Sequence, residues 1–182
     1  GWEFMPGHGH QDIGGFELHF EDEPVLVDPG RGAYGHTREA ERYRSGLVHN
    51  TLIIDKLEPY PPNKPYYDEV FRRSVCGPRP RFHREPNVSI SHDGYRRLKG
   101  VGTVTRKFVG KGNRWQIDSQ IEGEGTRTIT QYFVTPLRVE LVDNEAVLSG
   151  RASYRLLGNG PWKTLPITLW HAYGEGAEGT IL

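Results

Sequence analysis

The sequence predicts an all-β protein, an antiparallel β-sandwich with one short helix. Residues 16–21 and 115–122 alternate apolar and polar side chains, which is the period of a strand that buries one face. From residue 70 onward, turn signals recur about every ten residues, a spacing typical of sandwiches. The 182 residues include 23 glycines and 13 prolines, which supply the many turns that such a fold needs.

The early elements surround the residues of greatest chemical interest. Residues 16–21 and 25–27 are predicted to pair as a hairpin, and residues 52–54 to form a third strand. Residues 37–43 are the one helical stretch, because Thr37 is a suitable N-cap and acidic residues follow it. Further strands are expected at residues 71–75, 81–84, 88–91, 103–109, 114–122, 128–134, 138–142, 146–149, 153–157 and 167–173.

Length and composition limit the classes of function. One domain over residues 1–182 is expected, with a metal-site region in residues 6–55 and the remaining sandwich strands in residues 70–182. Basic and acidic residues balance at 23 each, which argues against a nucleic-acid-binding protein. No apolar run is long enough to span a bilayer, so no membrane partner is expected. The single cysteine, Cys76, excludes an internal disulfide and a cysteine-rich zinc site.

A pair of histidines precedes the first predicted strand. His8 and His10 alternate with glycines in the run PGHGHQD at residues 6–12. On an extended backbone, residues two apart face the same side, so both imidazoles point the same way. Imidazole is the commonest protein metal ligand and the usual acid–base group near neutral pH. The motif predicts a metal or catalytic site, and the alternative is a glycine-rich turn with two surface histidines.

Four candidate ligands, His8, His10, Asp28 and His49, lie at the ends of early strands. Two or three histidines with one carboxylate are a normal zinc ligand set, and the same donors also fit manganese, iron or nickel. A cupin-like metalloenzyme complete within this chain is an alternative, because cupins also carry two histidines one residue apart on a β-scaffold. The glutamate that a cupin needs soon after the pair is absent, since Glu17 lies seven residues beyond His10.

Five short motifs follow one another over some 45 residues of the sequence. They are GHGHQD at residues 7–12, FEL at 16–18, VDPG at 27–30, YRS at 43–45 and HNT at 49–51. In this order and at these spacings they resemble the heparinase II/III-like family of polysaccharide lyases. The later HDGY at residues 92–95, with Arg106 and Lys107 beyond it, is similar to the next strands of that family.

The resemblance implies a role for each of the candidate ligands. In that family this region forms the β-sandwich that follows an (α/α) toroid. The family holds a metal, typically zinc, with the second histidine of the pair, the DPG aspartate and the HNT histidine. Here these are His10, Asp28 and His49, with one zinc per chain expected and manganese or another divalent metal as the alternative. The first histidine, His8, is implied to face the substrate cleft and to take part in catalysis.

The same resemblance implies a lyase that cleaves acidic polysaccharide or oligosaccharide containing uronic acid by β-elimination. A base removes the proton α to the carboxylate, an acid assists the leaving glycosidic oxygen, and nearby groups stabilise the enolate-like state. The family's base lies on the helical toroid, and this sequence shows almost no helix. The chain is therefore expected to be excised from a larger protein, to be inactive alone, and to have that N-terminal toroid as its partner.

Three more residues, Asp12, Arg44 and Asn50, are expected to bind substrate or to support the metal ligands. Asp12 is assigned to hold one of the histidines. The planar fork of Arg44 suits a substrate carboxylate, and an internal ion pair with Asp12 or Glu39 is the alternative. The alternative function is a non-catalytic carbohydrate-binding or scaffolding sandwich with a structural metal. The resemblance also implies a periplasmic or secreted bacterial protein.

Overall fold

The computed structural model of the chain describes residues 10–60, 79–84, 87–172 and 174–182. The chain divides into two compact units. The first unit consists of Gly1–Gly14 and Ile53–Ile129, and the second of Gly15–Leu52 and Thr130–Leu182. Most of the first unit is therefore an insertion between two parts of the second. The single domain expected over residues 1–182 stays a prediction.

Strands make up most of the regular structure in the described residues. In chain order they are β1 (Leu18–Phe20), β2 (Glu23–Leu26), β3 (Leu52–Ile54), β4 (Arg79–Phe82), β5 (Val88–His92), β6 (Val101–Lys111), β7 (Arg114–Gly123), β8 (Ile129–Gln131), β9 (Val134–Thr135), β10 (Arg138–Val142), β11 (Glu145–Ser149), β12 (Ser153–Leu157), β13 (Leu165–Ala172) and β14 (Glu175–Ile181). Helix α1 spans Arg38–Arg42, and a 3₁₀ turn spans Gly46–Val48. Among the described residues, no helix has the length and apolar character needed to cross a membrane.

The second unit contains three antiparallel sheets. β1 pairs with β2, β11 lies between β10 and β12, and β14 lies between β13 and β9. One core cluster joins Tyr43 of the helix end to Val134 and Leu169. Another core cluster joins Leu26 of β2 to Leu148 of β11. Each fully buried aliphatic side chain contributes about 2 kcal/mol, so these clusters fix the strands around the early hairpin.

The first unit is built on the four-stranded antiparallel sheet β4-β5-β6-β7. A two-residue turn joins β6 to β7, and its first residue, Gly112, has a φ of +61°, a conformation that favours glycine. Val104 and Phe108 of β6 lie opposite isoleucines of β7, and both are buried. The alternation predicted for residues 115–122 therefore gives β7 one apolar face. β3 and β8 pair with each other, and the chain passes between the units within these two strands.

Most predicted elements are present. The antiparallel, all-β prediction is confirmed, and β10 and β12 have the predicted bounds. The helix begins directly after Thr37, whose Oγ1 accepts a hydrogen bond from Ala40 N at 3.1 Å, so the predicted N-cap is confirmed. The strand predicted at residues 71–75, and Cys76 beside it, lie outside the described residues.

Two predictions of strands are wrong. The stretch 128–134 is divided into β8 and β9, because Tyr132 N donates to Thr51 O while Phe133 N donates to Leu182 O. The series also does not end near residue 173, since β14 follows it as the central strand of its sheet.

Candidate metal centre

The second unit brings Asp28 and His49 together. Asp28 follows β2, and His49 follows the 3₁₀ turn and precedes β3. Asp28 Oδ2 lies 2.9 Å from His49 Nδ1. The His49 side chain is 1% exposed whereas the Asp28 side chain is 39% exposed. The pair thus combines a rigidly buried imidazole with a carboxylate that reaches the surface.

The two ring nitrogens of His49 contact different acceptors. Nε2 lies 3.0 Å from the backbone oxygen of Tyr43. Because a carbonyl oxygen only accepts hydrogen bonds, Nε2 carries a hydrogen and donates it. Nδ1 faces the carboxylate of Asp28, which also only accepts when ionised. A hydrogen or a metal ion must therefore link Nδ1 and Oδ2, and a shared proton or a divalent cation can do so.

This arrangement fits a divalent metal ion. Histidine ligands of metals usually donate their other ring N–H to a carbonyl or carboxylate, which fixes the tautomer and the ring orientation. The bond from His49 Nε2 to Tyr43 provides that support and directs the Nδ1 lone pair at Asp28. Imidazole nitrogen with carboxylate oxygen is a donor set that zinc accepts.

The loop after β2 holds the Asp28 carboxylate in place. Asp28 Oδ1 accepts a hydrogen bond from Gly30 N at 2.9 Å, and Asp28 N donates to Glu17 Oε1 at 3.1 Å. Gly30 has a φ of +66°, which favours glycine. Pro29 O accepts a hydrogen bond from Trp170 N of β13 at 2.7 Å. The DPG motif is therefore a turn whose backbone is fixed from two sides.

Asn50 supports the same strands from within the second unit. Its side-chain amide donates to Phe16 O at 2.7 Å and to Val27 O at 3.0 Å, and its Oδ1 accepts from Val134 N at 2.6 Å. The residue is 2% exposed. These contacts tie the start and end of the early hairpin to β9, next to Asp28.

The remaining candidate residues have different surroundings. His8 lies outside the described residues. His10 and Asp12 are half-buried members of the first unit, and each carries a donor atom of a type that suits a metal ion. Arg44 forms an ion pair with Glu41, with 3.9 Å between Nη2 and Oε1. This pair links Glu41 of α1 to a residue just beyond the helix, and Glu41 is a different partner from the expected alternatives, Asp12 and Glu39.

Glu17 and the Tyr43 carbonyl are supporting groups that sequence reasoning did not identify. Glu17 belongs to the FEL motif, and its position in a motif was the signal that would have found it. The contribution of Tyr43 comes from its backbone oxygen, which every residue type possesses. Trp170 likewise acts through its backbone N–H and lies far from Asp28 in the chain.

The first unit holds a second group of buried polar side chains, at the end of β5. Asp93 accepts hydrogen bonds from Arg79 at 3.0 and 3.1 Å and from Thr103 at 3.1 Å. These bonds lower the pKa of Asp93, and the bonds from Arg79 have the largest effect. His92 is 3% exposed, and burial lowers its pKa to about 4. Its neutral Nδ1 accepts a hydrogen bond from Gly94 N at 3.3 Å, so this histidine is satisfied without a cation.

Comparison with known families agrees with the motifs around Asp28 and His49. The family model described as Heparinase II/III-like, C-terminal, matches residues 2–177. No match was found among curated proteins. The C-terminal domain of this family is a β-sandwich, which confirms the predicted fold class. Because the match covers nearly all of the sequence, the chain belongs to the heparinase II/III-like C-terminal family.

Proposed function

We propose that this chain is the β-sandwich part of a polysaccharide lyase that cleaves uronic-acid-containing acidic polysaccharide by β-elimination, with one bound zinc ion. Membership of the heparinase II/III-like family supports the lyase class. The Asp28–His49 pair carries the metal proposal, because an imidazole nitrogen and a carboxylate oxygen, both metal-ligand types, meet there and the His49 ring is oriented by Tyr43 O. We also propose that the protein acts in the periplasm or outside the cell.

We assign His10, Asp28 and His49 as the residues that would hold the metal. When bound, the ion supplies positive charge that neutralises Asp28 and braces the loop that carries it. Tyr43 O orients the His49 ring, and Gly30 N orients the Asp28 carboxylate. The chemistry of the donors favours zinc, and manganese is the second choice.

We assign His8 to the substrate. In a β-elimination, a base removes the proton α to the uronate carboxylate, a double bond forms to the neighbouring carbon, and the glycosidic oxygen leaves and takes up a proton. The proton α to a carboxylate is weakly acidic, so the enolate-like state needs hydrogen-bond donors or positive charge close by. His8 provides a donor of that kind, while the base is expected on a helical toroid domain.

Elemental mass spectrometry of the purified chain tests the metal. About one zinc per chain is expected in the wild type, with loss of zinc in His10→Ala and Asp28→Ala, because each removes a ligand. His8→Ala should keep the metal, and so should Asp12→Asn, since Asp12 is assigned only to support a histidine. Equal loss in all four variants would refute this division of roles, and a metal-free wild type would refute the zinc proposal.

The lyase is tested with the chain combined with a toroid domain of the same family. Acidic polysaccharides should yield unsaturated uronate ends, detected by ultraviolet absorbance, and His8→Ala should abolish them. No product from any acidic glycan would overturn the proposal. Glycan binding that persists unchanged in His8→Ala, without product, would instead favour a carbohydrate-binding or scaffolding domain.

A further inference from the structure

We propose that Tyr43 and Trp170 form a positioning pair that sets the placement of Asp28 against His49. The inference rests on the proposed metal site, but the contacts that support it are all between protein groups and do not involve the ion. Each aromatic residue contacts a different side of the site, and the two rings contact each other. Both belong to the second unit, together with Asp28 and His49.

Trp170 supports the loop that carries Asp28. Its backbone N–H donates to Pro29 O at 2.7 Å, so β13 holds the DPG turn directly. A Cβ atom on Gly30 would overlap Trp170 O, and one on Gly32 would overlap the indole ring at Cε2. Gly30 and Gly32 therefore lie close against Trp170, and the lack of a Cβ at both positions allows this approach.

Tyr43 supports His49. It is 3% exposed, and its hydroxyl donates to Thr168 O of β13 at 2.8 Å, which fixes the ring on that strand. Its carbonyl accepts the hydrogen bond from His49 Nε2 at 3.0 Å. Because α1 ends at Arg42 and Tyr43 is its C-cap, the Tyr43 carbonyl accepts no hydrogen bond within the helix.

The two rings connect these supports. The Tyr43 and Trp170 rings meet edge to face, with 6.2 Å between centroids and 72° between planes. Such pairs contribute beyond the apolar area that they bury. β13 therefore holds the Asp28 loop in place through Trp170, and it holds the His49 ring in place through Tyr43. A shift of either ring would change the distance between Asp28 Oδ2 and His49 Nδ1.

The indole of Trp170 also has an energetic cost that a smaller ring would avoid. Among the described residues its buried Nε1–H has no acceptor. An unsatisfied buried donor is unfavourable, and phenylalanine at this position would remove it. The size and shape of the indole against Gly32 therefore account for its presence, which is consistent with a positioning role.

Zinc affinity of matched variants tests the pair. Competition with a chromophoric chelator gives the zinc Kd of wild type, Trp170→Phe and Gly32→Ala. The first variant removes the indole surface that the loop rests on, and the second adds a methyl group against it. Both should weaken zinc binding about 10- to 100-fold, as is typical when groups that orient metal ligands are changed.

Two variants serve as controls within the second unit. Trp162 is also partly buried, packs against Phe133 in the other core cluster and donates from Nε1 to Asn144 O, so Trp162→Phe perturbs a core without touching Asp28. Nothing lies within 4 Å of a Cβ at Gly160, so Gly160→Ala controls for the added methyl group. These controls should keep the wild-type Kd. An equal loss in the controls, or none in the test variants, would overturn the inference.

A measurement without metal separates this inference from the proposed function. Imidazole nitrogen NMR signals of His49 report the bonds of Nδ1 and Nε2 in the metal-free protein. They should shift or broaden in Trp170→Phe and Gly32→Ala and stay unchanged in both controls. If wild type binds no zinc while this pattern holds, the metal proposal fails and the positioning pair stands. If the His49 signals are the same in all variants, the pair is refuted.

Discussion

Two histidine–aspartate groups in this protein have opposite electrostatics. In the second unit, both nitrogens of His49 face acceptors, namely the Asp28 carboxylate and the Tyr43 carbonyl. In the first unit, His92 is adjacent to Asp93 in sequence, yet Asp93 is bonded to Arg79 and Thr103. The first group therefore needs a proton or a metal ion between its two side chains, whereas in the second group Arg79 neutralises the carboxylate.

The comparison shows that sequence adjacency of histidine and aspartate does not make a metal site. Whether such a pair can bind a metal depends on the atoms that the second ring nitrogen and the second carboxylate oxygen contact. The Asp28 side chain is 39% exposed, whereas the Asp93 side chain is 3% exposed and bonded at both oxygens.

Asp93→Asn should lower the free energy of unfolding by about 3 kcal/mol, because it breaks a charge-assisted pair with one buried partner. Urea unfolding in the presence of a chelator measures this loss. Zinc affinity of the folded variant should be unchanged. A loss of zinc binding would show that Asp93 also contributes to the metal site.

Zinc should raise the free energy of unfolding of the wild type by about 2.7 kcal/mol at a free concentration roughly 100-fold above Kd. The effect should be absent in Asp28→Asn and retained in Asp93→Asn. Parallel urea titrations with zinc and with chelator check this. Equal stabilisation of wild type and Asp28→Asn would place the ion elsewhere.

Acid should destabilise the first unit through His92. Burial lowers the folded-state pKa of His92 from 6.5 to about 4, so the unfolded chain takes up the proton first as the pH falls. Stability from this residue is complete above pH 6.5 and is lost towards pH 4, by about 2 kcal/mol between pH 7 and pH 5. Unfolding of His92→Gln should show a shallower pH dependence in this window. His19→Gln, at an exposed histidine, is the control and should match the wild type.

The smallest effect is expected at the surface pair of His19 and Glu17. Their side chains are each 50% exposed and lie 3.1 Å apart. His19→Ala should change stability by less than about 0.5 kcal/mol, because exposed pairs contribute little. Thermal unfolding measures this. A loss comparable to that of Asp93→Asn would mean that His19 is needed to hold Glu17 against the Asp28 backbone.

Local sequence patterns predicted the elements whose bounds are set by nearby residues, such as a helix cap or an alternating strand. Thr37 caps α1, and the alternating strands β10 and β12 have the expected bounds. β14 escaped prediction because its sequence, EGAEGTI, lacks the branched and aromatic residues that favour strands. It forms because it pairs on both sides, and Gly176 and Gly179 leave room for side chains of β13.

Only the parts of the candidate site that are formed by side chains within sequence motifs could be predicted. Asp28 and His49 stand out because a carboxylate and an imidazole lie at strand ends within recognisable motifs. The groups that orient them are mostly backbone atoms, such as Tyr43 O and Trp170 N. Their identity depends on how distant parts of the chain pack, which no local pattern encodes.

The amide of Asn50 has a consequence for the chemical ageing of the protein. Both of its N–H groups point at backbone carbonyls, of Phe16 and Val27, and its oxygen accepts from Val134. Deamidation would replace the donating nitrogen with a charged oxygen that faces two other oxygens in a buried place. Burial and a fixed backbone protect the folded chain from this reaction, whereas a chain that has not yet folded is unprotected. An intact amide at this position therefore depends on the chain staying folded around Asn50.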